Sequence, residues 1–266
     1  MSESSVPLPF RVIAALGLVV LLLPVVIVVL SGLNAGEYLT FPPQGLSLRW
    51  VRAFLTSPTF MPAYGFSFTL AFGATLISTV LGTMASVFLT RSTSRWTGTL
   101  RGIFMLPIVL PGLVLGLALY VFYATTDLGL SRSLTGLLIG HVLVTCPFVI
   151  ATVSAALVGF DLSLEEAARS LGATALGAFL RITLPIIAPA ISAGSIFAFI
   201  ISFGQFDVNL FLSIPNLQPL PLAMYASLRY AFEPTAAAAG IFAIALVALS
   251  TIATSRLVSF KRMFGA

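Results

Sequence analysis

Charge is what this sequence has least of. Asp, Glu, Lys and Arg make up 8% of its 266 residues, whereas soluble domains carry about 25%. Apolar residues make up 59%, and the mean hydropathy is +1.10. An ordinary globular domain is excluded, so most of the chain must be buried in lipid or against other membrane segments. The one cysteine, Cys146, excludes a disulfide framework and any CxxC metal site. It sits in an apolar run and reads as a small packing residue. The one histidine, His141, cannot build a metal or haem site alone, and it reads as a satisfied helix-packing side chain. A single lysine, Lys261, has nothing around it resembling G-x4-G-K-[ST]. No nucleotide site, cofactor or metal is therefore expected in this chain, and no covalent catalysis.

What is present is a series of long apolar runs. About 20 predominantly apolar residues cross a bilayer as a helix. Six candidates fall at roughly 11–32, 64–89, 102–124, 135–158, 186–212 and 235–258. Each must be helical, because a backbone in lipid has to satisfy its own hydrogen bonds. The alternating ten-residue strands of a membrane barrel are missing. The first run is too long for a signal-peptide core and has no small-residue cleavage site after it, so it reads as an uncleaved anchor. The expected fold is all-α and polytopic, a single transmembrane domain over 1–266.

The net charge of +5 is scattered around the apolar runs, which is a topology signal rather than a nucleic-acid patch. With both ends inside, the inner segments hold Arg11, Arg91, Arg95, Arg101, Arg169, Arg181, Arg256, Lys261 and Arg262. The outer ones hold Arg49, Arg52, Arg132 and Arg229. The positive-inside rule therefore predicts cytoplasmic termini and a cytoplasmic loop at 159–185. The outer segments 33–63 and 213–234 are expected to be ordered, with a short amphipathic piece around Trp50.

That cytoplasmic loop contains EEAARSLGATALGAFLRITLP at 165–185. Ser163-Leu164-Glu165-Glu166 has the S-x-x-E form of a capping box, predicting a helix from Leu164. Gly172 fits the residue just past the helix end, where positive φ is needed. A second helix over 174–184 is expected to stop at Pro185. Small residues dominate one face of the first helix, so another protein's groove could close down on it. A helix lying on lipid would instead carry Lys, Arg and bulky apolar residues.

Glu166-Ala167-Ala168, Gly172 and Ile182-Thr183-Leu184-Pro185 match the signature E-A-A-x3-G-x9-I-x-L-P. In this the chain resembles the transmembrane permease subunit of type I binding-protein-dependent ABC importers. FPPQGLSLRW, LPIVLPGLVLGLAL and PLPLAMYASLRYAFEPTAAAA are similar to the spermidine/putrescine-type permeases, and together the likeness spans nearly the whole chain. The resemblance implies a bacterial inner-membrane protein working with a second permease, two ATP-binding subunits that hold ATP and Mg, and an external solute-binding protein. It also implies that Glu165, Glu166, Ala167, Ala168, Arg169, Leu171 and Gly172 form the coupling helix that meets the ATP-binding subunit.

Polar residues inside spans are costly in lipid and usually face the bundle interior. In the fifth span Ser202, Gln205 and Asn209 recur at i, i+3 and i+7, on one face of a continuous helix. Asp207 lies off that stripe and could pair with a cationic solute such as a polyamine. An interhelical hydrogen bond is its structural alternative. Many polyamine permeases carry an acidic pair directly after Ser-Phe here; this chain has Gly204 and Gln205. Opines, other amino-acid derivatives, phosphonates, thiamine and ferric iron therefore stay open as cargo. An ion-driven secondary transporter would need inverted repeats and mid-membrane ion-site charges, of which only Asp207 is present.

Overall fold

The computed structural model describes residues 7–230 and 233–263, with side chains to residue 252. Among the described residues regular structure is helical throughout, apart from two isolated bridges, Asn34 with Leu46 and Ile214 with Leu217. Five helical runs are long and apolar enough to cross a bilayer: α1 (Leu8–Gly32), α3 (Phe60–Arg91), α6 (Leu134–Val158), the run Ala175–Phe203 and α12 (Thr235–Met263). The shorter helices are α2 (Arg49–Thr56), α4 (Thr97–Val109), α5 (Gly112–Thr125), α7 (Ser163–Ser170), α10 (Asp207–Leu212) and α11 (Leu220–Tyr230). The run Ala175–Phe203 is built from α8 (Ala175–Ala178), a π-turn (Phe179–Thr183) and α9 (Leu184–Phe203).

The expected third span is interrupted. α4 and α5 meet at 106° across Leu110 and Pro111. Pro111 disfavours helical backbone at the residue before it, and Leu110 is extended, at φ −73° and ψ 136°. Pro107 stays inside α4, so of the two prolines only Pro111 breaks the span.

Whether this bent pair crosses once or turns back follows from its neighbours. A Cβ on Gly73 would meet Leu138, the Ser78 hydroxyl bonds that of Thr145 at 2.7 Å, and the Ser86 hydroxyl donates to the Ile150 carbonyl at 3.2 Å. Rising numbers on α3 pair with rising numbers on α6, so the two helices run parallel. The chain between them must cross exactly one membrane thickness, and α4 with α5 forms one broken span.

The expected fifth span is also shorter than read from hydropathy. α9 ends at Phe203, and α10 begins only at Asp207. The Asn209 amide takes the Gln205 carbonyl, a side-chain bond that competes with helix continuation across the gap. At the other end, Pro185 does not stop the helix as expected. The Leu184 N–H bonds the Phe179 carbonyl in a wider π-turn, which relieves the clash a proline makes with the preceding turn.

Contacts divide the chain into two units, Met1–Pro62 with Ala223–Ala248, and Ala63–Leu222 with Leu249–Ala266. In the first, α1 and α12 approach through glycine: a Cβ on Gly32 would fall 2.9 Å from the Ala238 nitrogen, and one on Gly240 would fall 2.8 Å from Val28. Phe54 of the short amphipathic α2 is fully buried and stacks on Phe242 with ring centroids 4.5 Å apart. In the second unit α6 lies at the centre, antiparallel to α9, with Val149, Val153, Leu157, Ile187 and Ala198 forming one core. Leu70, Tyr123, Leu137, Val208 and Leu212 form the other. α11 is a helix that the proline-rich reading of 213–234 did not foresee.

Candidate coupling loop and intramembrane polar cluster

α7 occupies the loop between α6 and the run that begins at α8. Its start differs from the expected capping box. Leu162 is the N-cap residue and makes no side-chain cap. Asp161 takes that part instead, its Oδ1 accepting from the Ser163 N–H at 3.0 Å. The bond from Ser163 holds the Asp161 carboxyl below its usual range. Its end is as expected: Gly172 has φ +92°. The Ala173 N–H reaches the Ala168 carbonyl at 3.1 Å and the Gly172 N–H the Arg169 carbonyl at 3.0 Å. This is the paired bonding of a Schellman turn.

The candidate residues separate into two sets. Glu166, Ala167, Arg169, Leu171 and Gly172 are exposed, and Ala168 is half-buried. Leu171 is 90% exposed, a large apolar side chain standing at the loop's tip. Glu165 turns the other way. Its carboxylate accepts two bonds from Arg91, Nη2 to Oε1 at 2.7 Å and Nη1 to Oε2 at 3.0 Å. The hydroxyl of Thr183, which is fully buried, donates to Oε1 as well. The Arg91 guanidinium lies over the Phe179 ring, 5.7 Å from its centroid.

Partial burial works against the charge of Glu165. The bonds from Arg91 and Thr183, with the charges of Arg91 and Arg169, outweigh it and hold the carboxyl below its usual range. Sequence reasoning missed Arg91, Thr183 and Asp161. A lone arginine at the end of a span reads as topology, and only its distance from Glu165 in space reveals the pairing.

The polar residues of the fifth span converge, though by a different geometry than a helical stripe. Because α9 ends at Phe203, Ser202, Gln205 and Asn209 do not share one face. Ser202 and Asn209 are instead brought together by His141 of α6. His141 Nδ1 lies 2.7 Å from the Ser202 Oγ, and Nε2 lies 2.8 Å from the Asn209 Oδ1. The Asn209 amide nitrogen is committed to the Gln205 carbonyl, so its Oδ1 faces the ring. Nε2 therefore donates, and Nδ1 accepts from Ser202. All three side chains are buried and satisfied. Gln205 and Asp207 are half-buried at the break.

Asp207 opens α10 directly against the start of α5. A Cβ on Gly112 would lie 2.9 Å from both Cβ and Cγ of Asp207. One on Gly116 would lie 2.9 Å from Phe211 and 3.0 Å from the Asp207 carbonyl. Gly112-Leu-Val-Leu-Gly116 thus supplies the small-xxx-small face that lets α10 close on α5. The Asp207 carboxylate sits beside the N-terminus of α5, where the helix dipole favours negative charge. Two broken spans meet at this acid.

The loop, the interrupted spans, α6 and the end of α3 belong to a segment that matches a known family. Residues 78–262 match the family described as binding-protein-dependent transport system inner membrane component. The chain belongs to this family. Its relatives include the putrescine transport system permease protein PotI of Escherichia coli (strain K12), 34% identical over 233 residues, covering 85% of this chain and 82% of the relative. The spermidine/putrescine transport system permease protein PotC of the same strain is 27% identical over 234 residues, covering 88% of each. Among solved structures, a bacterial alginate ABC transporter in complex with an alginate pentasaccharide-bound periplasmic protein shares the fold. It has a TM-score of 0.73 at 17% identity, covering 94% of this chain and 95% of that one. The protein is therefore a multi-pass inner-membrane component of a binding-protein-dependent transport system, and its relatives are transport permease subunits.

Proposed function

We propose that the chain is the permease subunit of an ATP-driven importer that moves a small organic cation, a polyamine of the putrescine or spermidine type, into the cell. The observation that carries the cargo assignment is the 34% identity to a putrescine permease along 82% of its length. Asp207, where two broken spans meet, supplies an anionic group suited to an ammonium. Discontinuous helices commonly build the solute site of transporters. Ser202 and Asn209, both tied to His141, hold the break in place, and Gln205 lines it.

Both termini and α7 lie on the cytoplasmic side in this reading, the orientation that the arginine distribution favours. A second permease completes the pathway, a solute-binding protein delivers cargo from outside, and two ATP-binding subunits bind ATP and Mg. Exposed Glu166, Ala167, Arg169, Leu171 and Gly172, with half-buried Ala168, form the face that enters the groove of an ATP-binding subunit. Closure of those subunits drives α7 and rotates the attached spans as rigid bodies. This chain performs no covalent chemistry.

The test is uptake by the reconstituted assembly in proteoliposomes, with labelled putrescine and spermidine. ATP-dependent accumulation of either, competed by the other, is expected. Accumulation of a different solute with neither polyamine moved would overturn the cargo assignment. Gly204 and Gln205, in place of an acidic pair, favour that second reading.

A further inference from the structure

We propose that Glu165 is a positioning residue rather than part of the docking face: with Arg91 and Thr183 it forms a strut that carries movement of α7 into α3 and α9. The inference rests on the coupling reading of α7 given above, and it assigns a role to three residues that the reading does not use.

An eight-residue helix is far below the length that is stable alone in water, so α7 is only as rigid as its attachments. The covalent path on its C-terminal side passes through the turn at Gly172, φ +92°, and a four-residue α8 into α9. On its N-terminal side it passes through Gly159 and Asp161 to α6. Neither path reaches α3.

Glu165 supplies the missing connection. Its two oxygens are taken by both terminal nitrogens of Arg91, the last residue of α3. Oxygen Oε1 also receives the Thr183 hydroxyl, from the π-turn that opens α9. A bidentate guanidinium–carboxylate pair fixes orientation as well as distance. Side-chain exposure is 28% for Arg91 and 13% for Glu165, so solvent screens the pair less than it would on an open surface.

The two elements reached by the strut are themselves joined deeper in the membrane. The Thr79 hydroxyl of α3 bonds that of Ser195 on α9 at 2.7 Å. A push on α7 thus reaches α3 and α9 together. The Phe179 ring beneath Arg91 keeps the guanidinium from swinging away from the carboxylate. No other residue of α7 makes such a contact among the described residues: Glu166 and Arg169 have no ion pair there, and the Ser170 hydroxyl bonds only its own helix. Arg91 also needs its planar fork, since a lysine cannot fill both oxygens.

The experiment uses the assembled transporter in proteoliposomes and compares Glu165→Gln, Arg91→Lys, Arg91→Glu, Glu165→Arg and the double exchange Arg91→Glu/Glu165→Arg with the parent. Uptake and ATP hydrolysis are measured together, along with the amount of ATP-binding subunit retained. Glu165→Gln is expected to keep its ATP-binding subunits and to raise ATP hydrolysed per solute moved by roughly tenfold, within the range of ordinary coupling energies. Arg91→Lys should fall in between, and the double exchange should recover at least half of what either reversed single variant loses.

Loss of ATP-binding subunits from the Glu165→Gln complex would make Glu165 a docking contact and overturn the strut. An unchanged ratio of ATP to solute, or a double exchange no better than the single reversals, would overturn it too. A Leu171→Cys crosslink to the ATP-binding subunit separates the two ideas. Its presence with an unchanged ratio rejects the strut alone, and its absence from parent and variant alike rejects the coupling reading beneath it.

Discussion

Asp207 rests on Gly112: a side chain of any size at position 112 would push against the Cβ and Cγ of Asp207 from 2.9 Å away. The contact joins the second half of one broken span to the second half of another. It ties the acid proposed for cargo to the bend at Pro111, so the position of Asp207 depends on how closely α5 and α10 approach.

Gly112→Leu should therefore act through Asp207. Overpacking of a close helix contact costs about 1–3 kcal/mol, and the melting temperature of the solubilised protein should fall accordingly. Uptake should weaken through the apparent affinity for solute more than through membrane abundance. An unchanged KM would mean that Asp207 and the bend do not act on solute. Asp207→Asn keeps the packing and removes the charge, so it should weaken uptake of cations while leaving the melting temperature near that of the parent.

Removing His141 has a different signature. His141→Leu strips the Ser202 hydroxyl and the Asn209 carbonyl oxygen of their partner, and each unsatisfied buried group costs about 1–3 kcal/mol. The expected result is a large loss of thermal stability. His141→Gln, which can still donate and accept, should recover part of it. Equal stability of the two variants would show that packing volume, not hydrogen bonding, sets the contribution of His141.

Gly172 offers a test that separates backbone from docking. Its φ of +92° strains any residue with a Cβ, yet among the described residues none beyond its chain neighbours lies within 4 Å of where that Cβ would stand. Within this chain alone, alanine and leucine should thus carry a similar conformational cost, about 1–2 kcal/mol. A partner that closes over Gly172 would tell them apart. Gly172→Leu should abolish uptake while Gly172→Ala retains a measurable fraction, both at parental membrane levels.

The Arg91–Glu165 pair sets an acid limit. The Glu165 carboxyl is held below its ordinary 4.5 in the folded protein, so the folded state releases this proton more readily than the unfolded one. The stabilisation is complete above about 4.5 and is lost as pH falls through the lowered value. Melting temperature followed downward from pH 6 should drop in that window for the parent. Glu165→Gln should start lower and drop less.

Much of this organisation was legible in the sequence, for identifiable reasons. The spans are read from hydropathy because lipid leaves a backbone no alternative to the helix, and α1, α3 and α6 lie where the apolar runs place them. The Gly172 turn was legible because few residues tolerate that backbone. The breaks were harder. Leu110 and Pro111 sit inside a run that hydropathy treats as continuous, and only the proline's effect on its predecessor marks the corner. The gap after Phe203 depends on Asn209 taking the Gln205 carbonyl, which no local pattern signals. For the same reason the i, i+3, i+7 stripe was misplaced: Ser202 and Asn209 do converge, but on His141, sixty-one and sixty-eight positions away. Glu165 belongs to this class as well. Its neighbour Glu166 faces outward, and spacing alone could not show that Glu165 reaches across seventy-four positions to Arg91.

The central claim is that α7 is the face by which an ATP-binding subunit drives this permease. The most direct measurement is crosslinking from Leu171→Cys, at a position 90% exposed, in membranes holding the assembled transporter, with native Cys146 replaced by alanine. The account predicts a specific crosslink to the ATP-binding subunit that changes in yield between nucleotide-free and ATP-bound states. A complex that transports solute at the parental rate yet gives no such crosslink in either state would contradict it.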